Sequence, residues 1–330
     1  MNYNMLKPVV ISDAYKRIKP YIHYTPLLYS SHLNDWLGHN ITFKAECFQK
    51  IGAFKIRGAL NAILSLKEEE RLPKEIVTFS SGNHAQAIAM AGKLFNIKVT
   101  VFMTDAASKV KKQATMGYGA NVINVRTRSE AENGALKLHE KGACFIHPFD
   151  DDKVIAGQGT SCFEALSSGL TPDAIFATCG GGGWLSGSYL AKELLQPDVK
   201  IFAGEPAVAN DATRSYNSGT IVKYNDSPKT IADGAATLSV SPRTFQYLKK
   251  LDGFFEVTEQ DIAYWTQWLA HLLKISVEPT SAVAMAAAHQ WLKTKNTKQN
   301  ILVLLSGGNI SPEMQNIVWQ NNYLDMIPKL

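Results

Sequence analysis

The sequence predicts an α/β protein made of two doubly wound domains with largely parallel sheets. Short apolar segments typical of buried strands alternate with segments that carry apolar residues at helical spacing. Such alternation is typical of parallel sheets, because each strand needs a crossover helix before the next parallel strand can begin. The chain has 330 residues, which is long for a single hydrophobic core and favours two domains.

The individual elements follow from local patterns. Alternating or short apolar runs predict strands at 40–47, 76–79, 98–103, 121–125, 174–178, 200–203 and 301–305. Helical spacing and capping residues predict helices at 12–18, 59–66, 85–94, 108–116 and 129–141, one that ends at 195, and one that begins near 258. Ser12 or Asp13 is expected to cap the first helix, Gly58 to open the second, and Thr258 with Asp261 to form a capping box.

Composition excludes several classes of protein. Apolar residues make up 45% and charged residues 19% of the chain, as in an ordinary globular protein, and the net charge of +5 is spread along it. The local basic cluster at 109–112 is interpreted as a solvated helix face, so no nucleic-acid partner is expected. No apolar run is long enough to span a membrane, and the N-terminus lacks a secretion signal. The four cysteines show no Cys-x-x-Cys pair, which indicates neither zinc nor disulfides and favours a reducing cytoplasm.

Lys55 is the first candidate for chemistry. It follows Gly52-Ala53-Phe54 and lies between two apolar side chains, Phe54 and Ile56. Partial desolvation there disfavours the ammonium and leaves an amine that can form a Schiff base with a carbonyl. Taken alone, a solvated lysine at a helix start is the better interpretation. Three further motifs reverse that preference.

Four consecutive glycines, Gly180, Gly181, Gly182 and Gly183, lie between a predicted strand and a predicted helix. Their main-chain amides can approach an anion closely, and the helix dipole favours a phosphate there over a simple tight turn. Glu205 follows the glycines at about the separation expected for the acidic residue of a dinucleotide-binding site. However, no register of these glycines gives G-x-G-x-x-G, and no Walker lysine follows. The phosphate therefore belongs to a smaller cofactor.

Two further motifs follow predicted strands. Ser80, Ser81, Asn83 and His84 offer hydroxyls, an amide and N–H groups suited to a carboxylate or a phenolic oxygen, although plain N-capping by a serine and a packed histidine are alternatives. Ser306 follows an apolar strand and could present its hydroxyl to a heteroatom, or be an ordinary turn serine. Ligands of open α/β sheets bind beyond the carboxyl ends of the strands, where all these motifs fall.

Glu205, Ala209 and Asp211 form a possible metal site. Two carboxylates and an intervening main-chain carbonyl are hard oxygen ligands suited to magnesium or calcium. Surface acids often show the same spacing.

Together these motifs resemble the fold-type II pyridoxal-phosphate enzymes, whose fold is like that of the tryptophan synthase β-subunit, and among them the threonine/serine ammonia-lyases (dehydratases) and serine racemases. The resemblance covers nearly the whole chain, with the motifs in the family's order. The segments of this chain that carry the resemblance are 52–58, 80–86, 154–160, 180–183, 230–234, 278–280 and 306–309. It implies a large cofactor-binding domain, 1–74 with 151–330, and a small mobile domain, 75–150.

The resemblance also implies roles for the residues. Lys55 would form a Schiff base with pyridoxal 5'-phosphate, and Phe54 would pack beside the cofactor. Asn83 would bond the 3-hydroxyl of the cofactor, Gly180 to Gly183 its phosphate, and Ser306 its ring nitrogen. Ser80, Ser81, Asn83 and His84 would bind the substrate carboxylate, with Ser81 also the acid/base opposite Lys55. Glu205, Ala209 and Asp211 match the family's divalent-cation site.

The implied activity is conversion of L-threonine, L-serine or a related β-hydroxy amino acid to a 2-oxo acid and ammonia. Serine racemisation is the nearest alternative, and a non-catalytic cofactor- or amino-acid-binding protein is a distant one. The family suggests a homodimer. Two positions depart from its pattern: Ala53 stands where serine is usual, and Ala131 where the racemases carry arginine, with Arg126 and Arg128 nearby. These departures leave the balance between elimination and racemisation open.

Overall fold

The computed structural model describes residues 4–80, 82–105 and 107–330. Ten strands lie within them: β1 (Leu27–Leu28), β2 (Asn40–Ala45), β3 (Glu75–Phe79), β4 (Lys98–Thr104), β5 (Asn121–Val125), β6 (Cys144–Phe145), β7 (Ala174–Thr178), β8 (Lys200–Pro206), β9 (Gly253–Val257) and β10 (Asn300–Leu305). The first α-helices are α1 (Val10–Ile18), α2 (Ser31–Leu37), α3 (Lys55–Glu68), α4 (Asn83–Leu94), α5 (Lys109–Gly117), α6 (Arg128–Glu140) and α7 (Asp152–Ser167). They are followed by α8 (Gly183–Leu195), α9 (Asp211–Ser218), α10 (Pro242–Leu248), α11 (Glu259–Leu273), α12 (Pro279–Leu292) and α13 (Pro312–Val318).

The strands form two sheets. One has six strands in the order β1-β2-β10-β7-β8-β9, and the other has four in the order β5-β4-β3-β6. Every pairing is parallel except that of β1 with β2. The predicted α/β fold with largely parallel sheets is therefore confirmed. All four strands of the smaller sheet come from residues 75–145. The division into a large domain and a small domain stays a prediction.

The helix that carries Lys55 begins earlier than predicted. It starts at Lys55 itself, so Gly58 lies inside its first turn and is not its entry point. A Cβ on Gly58 would lie 2.4 Å from Gln158 Nε2, so the glycine allows α3 to pack closely against α7. The expected cap of α1 is also wrong, because α1 begins at Val10 and has no side-chain cap. The predicted capping box of Thr258 with Asp261 is present.

A buried group of charges fixes the start of α3. Arg57 donates to Glu46 Oε2 at 2.7 Å and to Glu164 Oε2 at 2.8 Å. Lys44 donates to the same oxygen of Glu164 at 2.7 Å. These four side chains are at most 2% exposed, and their charges balance, as buried charges require. They link β2 and α7 to α3 within two residues of Lys55.

Among the described residues, we find no helix whose length and apolar character would let it cross a bilayer.

Candidate active site

A cavity of about 350 Å³ lies beyond the carboxyl ends of β3, β7 and β10, with walls from both sheets. It brings together predicted residues that are far apart in the chain. Those that line it are Phe54, Lys55, Ser80, Asn83, His84, Gly180, Gly181, Gly182, Gly183 and Ser306. Ser81, the predicted acid/base, lies outside the described residues.

Lys55 is held at the cavity by main-chain pairing. The N–H of Phe54 donates to Ser306 O at 3.0 Å, and Ala53 forms an isolated bridge with Gly307. This pairing fixes the segment before α3 beside the end of β10. The Lys55 Nζ donates to Pro148 O at 3.2 Å and lies 5.0 Å from the centroid of the Phe54 ring. Phe54 in turn stacks on Trp184, with centroids 4.1 Å apart.

The Lys55 amine is shifted towards its neutral form. Desolvation by the surrounding protein lowers its pKa to about 8; Glu278 opposes the shift and Arg128 adds to it. The neutral fraction at a given pH is therefore about two orders of magnitude larger than for an ordinary lysine. This is the property needed for attack on a carbonyl or for removal of a proton.

The glycine turn offers unpaired amides. Within the described ranges, the N–H groups of Gly180 to Gly183 meet no acceptor. Gly182 has φ +83 and is the N-cap of α8, whose N-terminus faces the cavity. A Cβ on Gly181 would lie 2.3 Å from the Phe149 ring, so only glycine fits against that wall. Free amides at the N-terminus of a 13-residue helix suit a phosphate, and these residues fit the expected cofactor.

Glu278 belongs to the motif at 278–280, but the sequence predicts no function for it. Its buried carboxylate accepts hydrogen bonds from Asn83 Nδ2, at 3.2 and 3.0 Å, and from Ser306 Oγ at 2.7 Å. Burial raises its pKa, and Lys111 partly offsets the shift. Glu278 thus orients both side chains that were expected to contact the cofactor ring. No local pattern around Glu278 could have revealed this, because its partners lie 195 and 28 residues away.

Ser80 does not act as the N-cap of α4, whereas His84 is packed inside the protein, as the packed-histidine alternative expects. Ser80 Oγ accepts from Gly82 N at 3.2 Å and does not cap α4, whose N-cap is Gly82. His84 is buried, with Nε2 3.3 Å from Ile146 O. Because a carbonyl only accepts, Nε2 carries the proton, and the buried Nδ1 has no partner among the described residues. Burial, followed by the charge of Lys55, lowers the pKa of His84 well below its usual value.

Two cationic side chains, on the helices that follow β4 and β5, also line the cavity and were not predicted as site residues. Lys111 on α5 pairs with Asp233. Arg128 on α6 donates to Ala236 O at 3.2 Å. Both contacts cross from the smaller-sheet part of the chain to the loop at 233–237.

The three predicted metal ligands lie outside the cavity lining and are all buried. Glu205 accepts from Ala212 N, Thr213 N and Thr213 Oγ1 at 3.0, 2.8 and 2.7 Å. Asp211 Oδ2 accepts from Val240 N at 2.9 Å, while its buried Oδ1 has no partner among the described residues. Burial, together with Asp211, raises the pKa of Glu205 to about 8, and burial raises that of Asp211 to about 7. Two buried carboxylates, one of which raises the pKa of the other, are ligands of the kind that suits a divalent ion. Ala209 O stays the predicted third ligand.

That set has only two acidic side chains. Across residues 4–80, 82–105 and 107–330, no three His, Cys, Asp or Glu side chains are grouped as a metal site would require.

Most of the chain matches known proteins. Residues 18–307 match the family described as pyridoxal-phosphate dependent enzyme. The chain is 44% identical over 303 residues to an L-threo-3-hydroxyaspartate ammonia-lyase of Saccharomyces cerevisiae, covering 91% of this chain and 92% of that protein. It is also 44% identical over 305 residues to a serine racemase of Dictyostelium discoideum, covering 91% and 94%. Among solved structures, a threonine deaminase from T.th. aligns with a TM-score of 0.87 at 39% identity, covering 93% of this chain and 99% of the other.

The family match spans most of the chain, and two relatives above 40% identity span more than nine-tenths of it. The chain therefore belongs to the pyridoxal-phosphate dependent enzymes.

Proposed function

We propose that the chain is an ammonia-lyase that converts a small β-hydroxy amino acid, such as L-serine or L-threonine, to a 2-oxo acid and ammonia. The observation that carries the proposal is the position of Lys55, an amine of lowered pKa, in one cavity with the amides of Gly180 to Gly183. The names of the related proteins, a hydroxyaspartate ammonia-lyase and a threonine deaminase, support this reaction class. For L-serine the overall change yields pyruvate and ammonia.

Binding is divided among three parts of the cavity. The amides of Gly180 to Gly183 would hold the phosphate of pyridoxal phosphate, Phe54 would pack beside its ring, and Asn83 and Ser306 would contact the ring's polar atoms. When bound, the cofactor supplies an aldehyde for the substrate amine and a ring that takes up the electron pair released at Cα. Ser80, Ser81, Asn83 and His84 would bind the substrate carboxylate at the start of α4.

Lys55 would then remove the α-proton as general base, for which its lowered pKa is suited. Ser306 donates its hydroxyl proton to Glu278. A serine beside the ring nitrogen, unlike a carboxylate, would not keep that nitrogen protonated, which favours elimination or racemisation over transamination. Departure of the β-hydroxyl as water completes the elimination.

Serine racemisation is the second candidate, because a serine racemase is among the relatives at 44% identity. It requires a proton donor on the face opposite Lys55, a role for which Ser81 remains the prediction. Ala131, where an arginine would be expected for that activity, lines the cavity without a polar group.

A divalent cation, magnesium or calcium, would be bound by Glu205, Ala209 and Asp211. The unpartnered Asp211 Oδ1 supports this assignment. We further propose a cytoplasmic homodimer in which the part at 75–150 moves as a small domain. Four free thiols and exposed aromatic side chains at Tyr24, Tyr29 and Phe48 are consistent with that location and assembly.

The reaction is tested with purified enzyme and a panel of L-serine, L-threonine and L-threo-3-hydroxyaspartate. Each reaction is scored for 2-oxo acid and for the D-enantiomer. The lyase proposal expects 2-oxo acid from at least one substrate, and none from Lys55→Ala. Borohydride reduction followed by mass spectrometry should place the cofactor on Lys55. Accumulation of D-amino acid without 2-oxo acid would instead establish a racemase, and cofactor on another side chain would overturn the site.

A further inference from the structure

Arg128 places a positive charge in the wall of the cavity. It is the first residue of α6, is half-buried, and its Cζ lies 6.0 Å from the centroid of the Phe79 ring. The ion pairs of the described residues include none to Arg128, whereas Lys111 on the neighbouring wall is paired with Asp233. Its hydrogen-bond partner is a neutral main-chain oxygen, Ala236 O.

A guanidinium removed from water without a counter-charge is costly. Desolvation lowers the pKa of Arg128, and the more distant charges of Glu132 and Asp211 offset that shift only in part. This supports the view that the protein leaves the charge incompletely compensated. An anion entering the cavity would supply the missing partner.

Arg128 lines the same cavity as Lys55. It is close enough to Lys55 to lower the pKa of that amine, and it acts in the same way on His147. Thr237 lies in the same wall, next to the main-chain oxygen that Arg128 contacts. It is 6% exposed, and its Oγ1 has no hydrogen-bond partner among the described residues. A cation and a spare hydroxyl side by side are suited to a carboxylate.

Two of the anionic groups expected in the cavity already have sites. The cofactor phosphate would lie on the amides of Gly180 to Gly183, and the α-carboxylate of the substrate at the start of α4. Arg128 therefore remains available to bind a third anionic group. We propose that Arg128, with Thr237, binds a second carboxylate carried on the β-carbon of the substrate. The enzyme would then prefer the dicarboxylic β-hydroxy amino acid 3-hydroxyaspartate to L-serine or L-threonine.

This inference rests on the proposed lyase function and narrows its substrate class. The reaction would convert 3-hydroxyaspartate to oxaloacetate and ammonia: water leaves across the Cα–Cβ bond, and one water returns when the resulting enamine is hydrolysed. No other reactant is needed.

The test compares kcat/KM for L-threo-3-hydroxyaspartate and for L-serine in the wild type, Arg128→Ala, Arg128→Lys and Arg126→Ala. Arg126 is exposed and two residues away, which makes it a matched control. We expect the wild type to favour the dicarboxylate by at least about tenfold, and Arg128→Ala to reduce that ratio by roughly 10- to 100-fold, the range of one charge-assisted hydrogen bond. Arg128→Lys should keep part of the preference, and Arg126→Ala all of it.

A binding measurement separates recognition from chemistry. Succinate and propionate differ by one carboxylate and cannot react. Succinate should inhibit wild-type turnover of L-serine at a lower concentration than propionate does, and this difference should disappear in Arg128→Ala and persist in Arg126→Ala.

The outcomes distinguish the two proposals. A wild type that deaminates L-serine without preferring the dicarboxylate overturns the role of Arg128 and leaves the lyase function standing. So does an equal loss on both substrates in Arg128→Ala, which would assign the guanidinium to the α-carboxylate or to a purely structural contact with Ala236. If Arg128→Ala does not fold, the wild-type preference and the Arg128→Lys ratio decide. Absence of 2-oxo acid from every substrate overturns both proposals.

Discussion

Asn83 at the start of α4 donates its amide to both carboxylate oxygens of Glu278 at the start of α12, at 3.2 and 3.0 Å. Asn83 belongs to the part of the chain that carries the smaller sheet and Glu278 to the part that carries the larger one. The pair therefore joins the two halves of the cavity at the point where the cofactor ring is proposed to bind.

Replacing Glu278 with Ala should weaken cofactor binding. The change removes the acceptor of Asn83 and Ser306, which then lose their orientation. A charge-assisted hydrogen bond contributes about 1.5–3 kcal/mol, so we expect the dissociation constant of pyridoxal phosphate to rise roughly tenfold or more. Fluorescence titration of the apoenzyme measures it, with Glu313→Ala on the exposed start of α13 as the control. Unchanged affinity in Glu278→Ala would show that Asn83 and Ser306 do not need this carboxylate.

The rate at which apoenzyme captures pyridoxal phosphate should depend on the ionisation of Lys55. Only the neutral amine attacks the aldehyde, and burial lowers the pKa of Lys55 to about 8. The capture rate should therefore rise with pH and reach half its maximum near pH 8. Stopped-flow absorbance gives the profile, and Lys55→Ala should show no covalent capture. A midpoint near 10.5 would mean that the amine is as well solvated as an ordinary surface lysine.

A methyl group at position 181 should disturb the glycine turn. In Gly181→Ala the new Cβ would lie 2.3 Å from the Phe149 ring, and the conflict would displace either the ring or the amides. We expect cofactor affinity to fall at least about tenfold, since a misplaced amide loses its hydrogen bond to the phosphate. The double variant Gly181→Ala/Phe149→Ala should recover part of it. Gly117→Ala, where a Cβ meets nothing within 4 Å, should change nothing; a loss there as well would point to a general folding defect.

Magnesium or calcium should stabilise the protein through Glu205 and Asp211. Their folded pKa values, about 8 and 7, lie above the unfolded ones. Without a cation their contribution to the free energy of unfolding is therefore fully present below about pH 4 and is lost as pH rises through 7 to 8. A bound cation reverses this loss, so its effect should grow from about pH 6 to about pH 8.

Thermal unfolding tests this expectation. Saturating magnesium should raise Tm by roughly 3–6 °C at pH 8, the range expected for a ligand at about a hundred times its dissociation constant. Chelator should lower it again, and Asp211→Asn should remove the increment. Asp226→Asn, at an exposed position, should retain it. If magnesium raised Tm equally in Asp211→Asn and Asp226→Asn, the cation would bind at another site.

The alternation of strands and helices was predictable because apolar periodicity reports burial directly. The strands at Ala174–Thr178 and Asn121–Val125 have the predicted bounds. The strands Leu27–Leu28 and Cys144–Phe145 were missed, since two residues carry no periodicity. The helix Asp152–Ser167 was not predicted from its residues, because it contains Gly157 and Gly159, which have low helix propensity.

Tertiary contacts explain those two glycines. A Cβ on Gly157 would lie 2.5 Å from Arg57 O, and one on Gly159 would lie 2.3 Å from Gly187 O. The residues are small because α3 and α8 approach α7 closely. The need for glycine at these two positions comes from helices that are distant in sequence, so no local sequence pattern reveals it.

The residues of the site also differ in how far the sequence could predict them. Lys55, the glycine turn and Ser306 were predictable because each follows a strand in a distinctive short motif. Glu278, Lys111 and Arg128 were not, since their importance comes from neighbours far away in the chain. In the sequence, Arg128 stands out only because it is close to position 131, one helical turn further along α6.

The buried charges of Lys44, Glu46, Arg57 and Glu164 are paired at the first turn of α3, to which Arg57 belongs. Removal of any one of these side chains would leave an unpaired charge buried in the interior. The first turn of α3 therefore cannot unfold while the surrounding core stays folded. The reactive amine therefore lies in a helix turn that buried ion pairs hold to β2 and α7. Inactivation by heat should follow the same curve as the melting of the larger sheet, without an earlier step in which the active site fails alone.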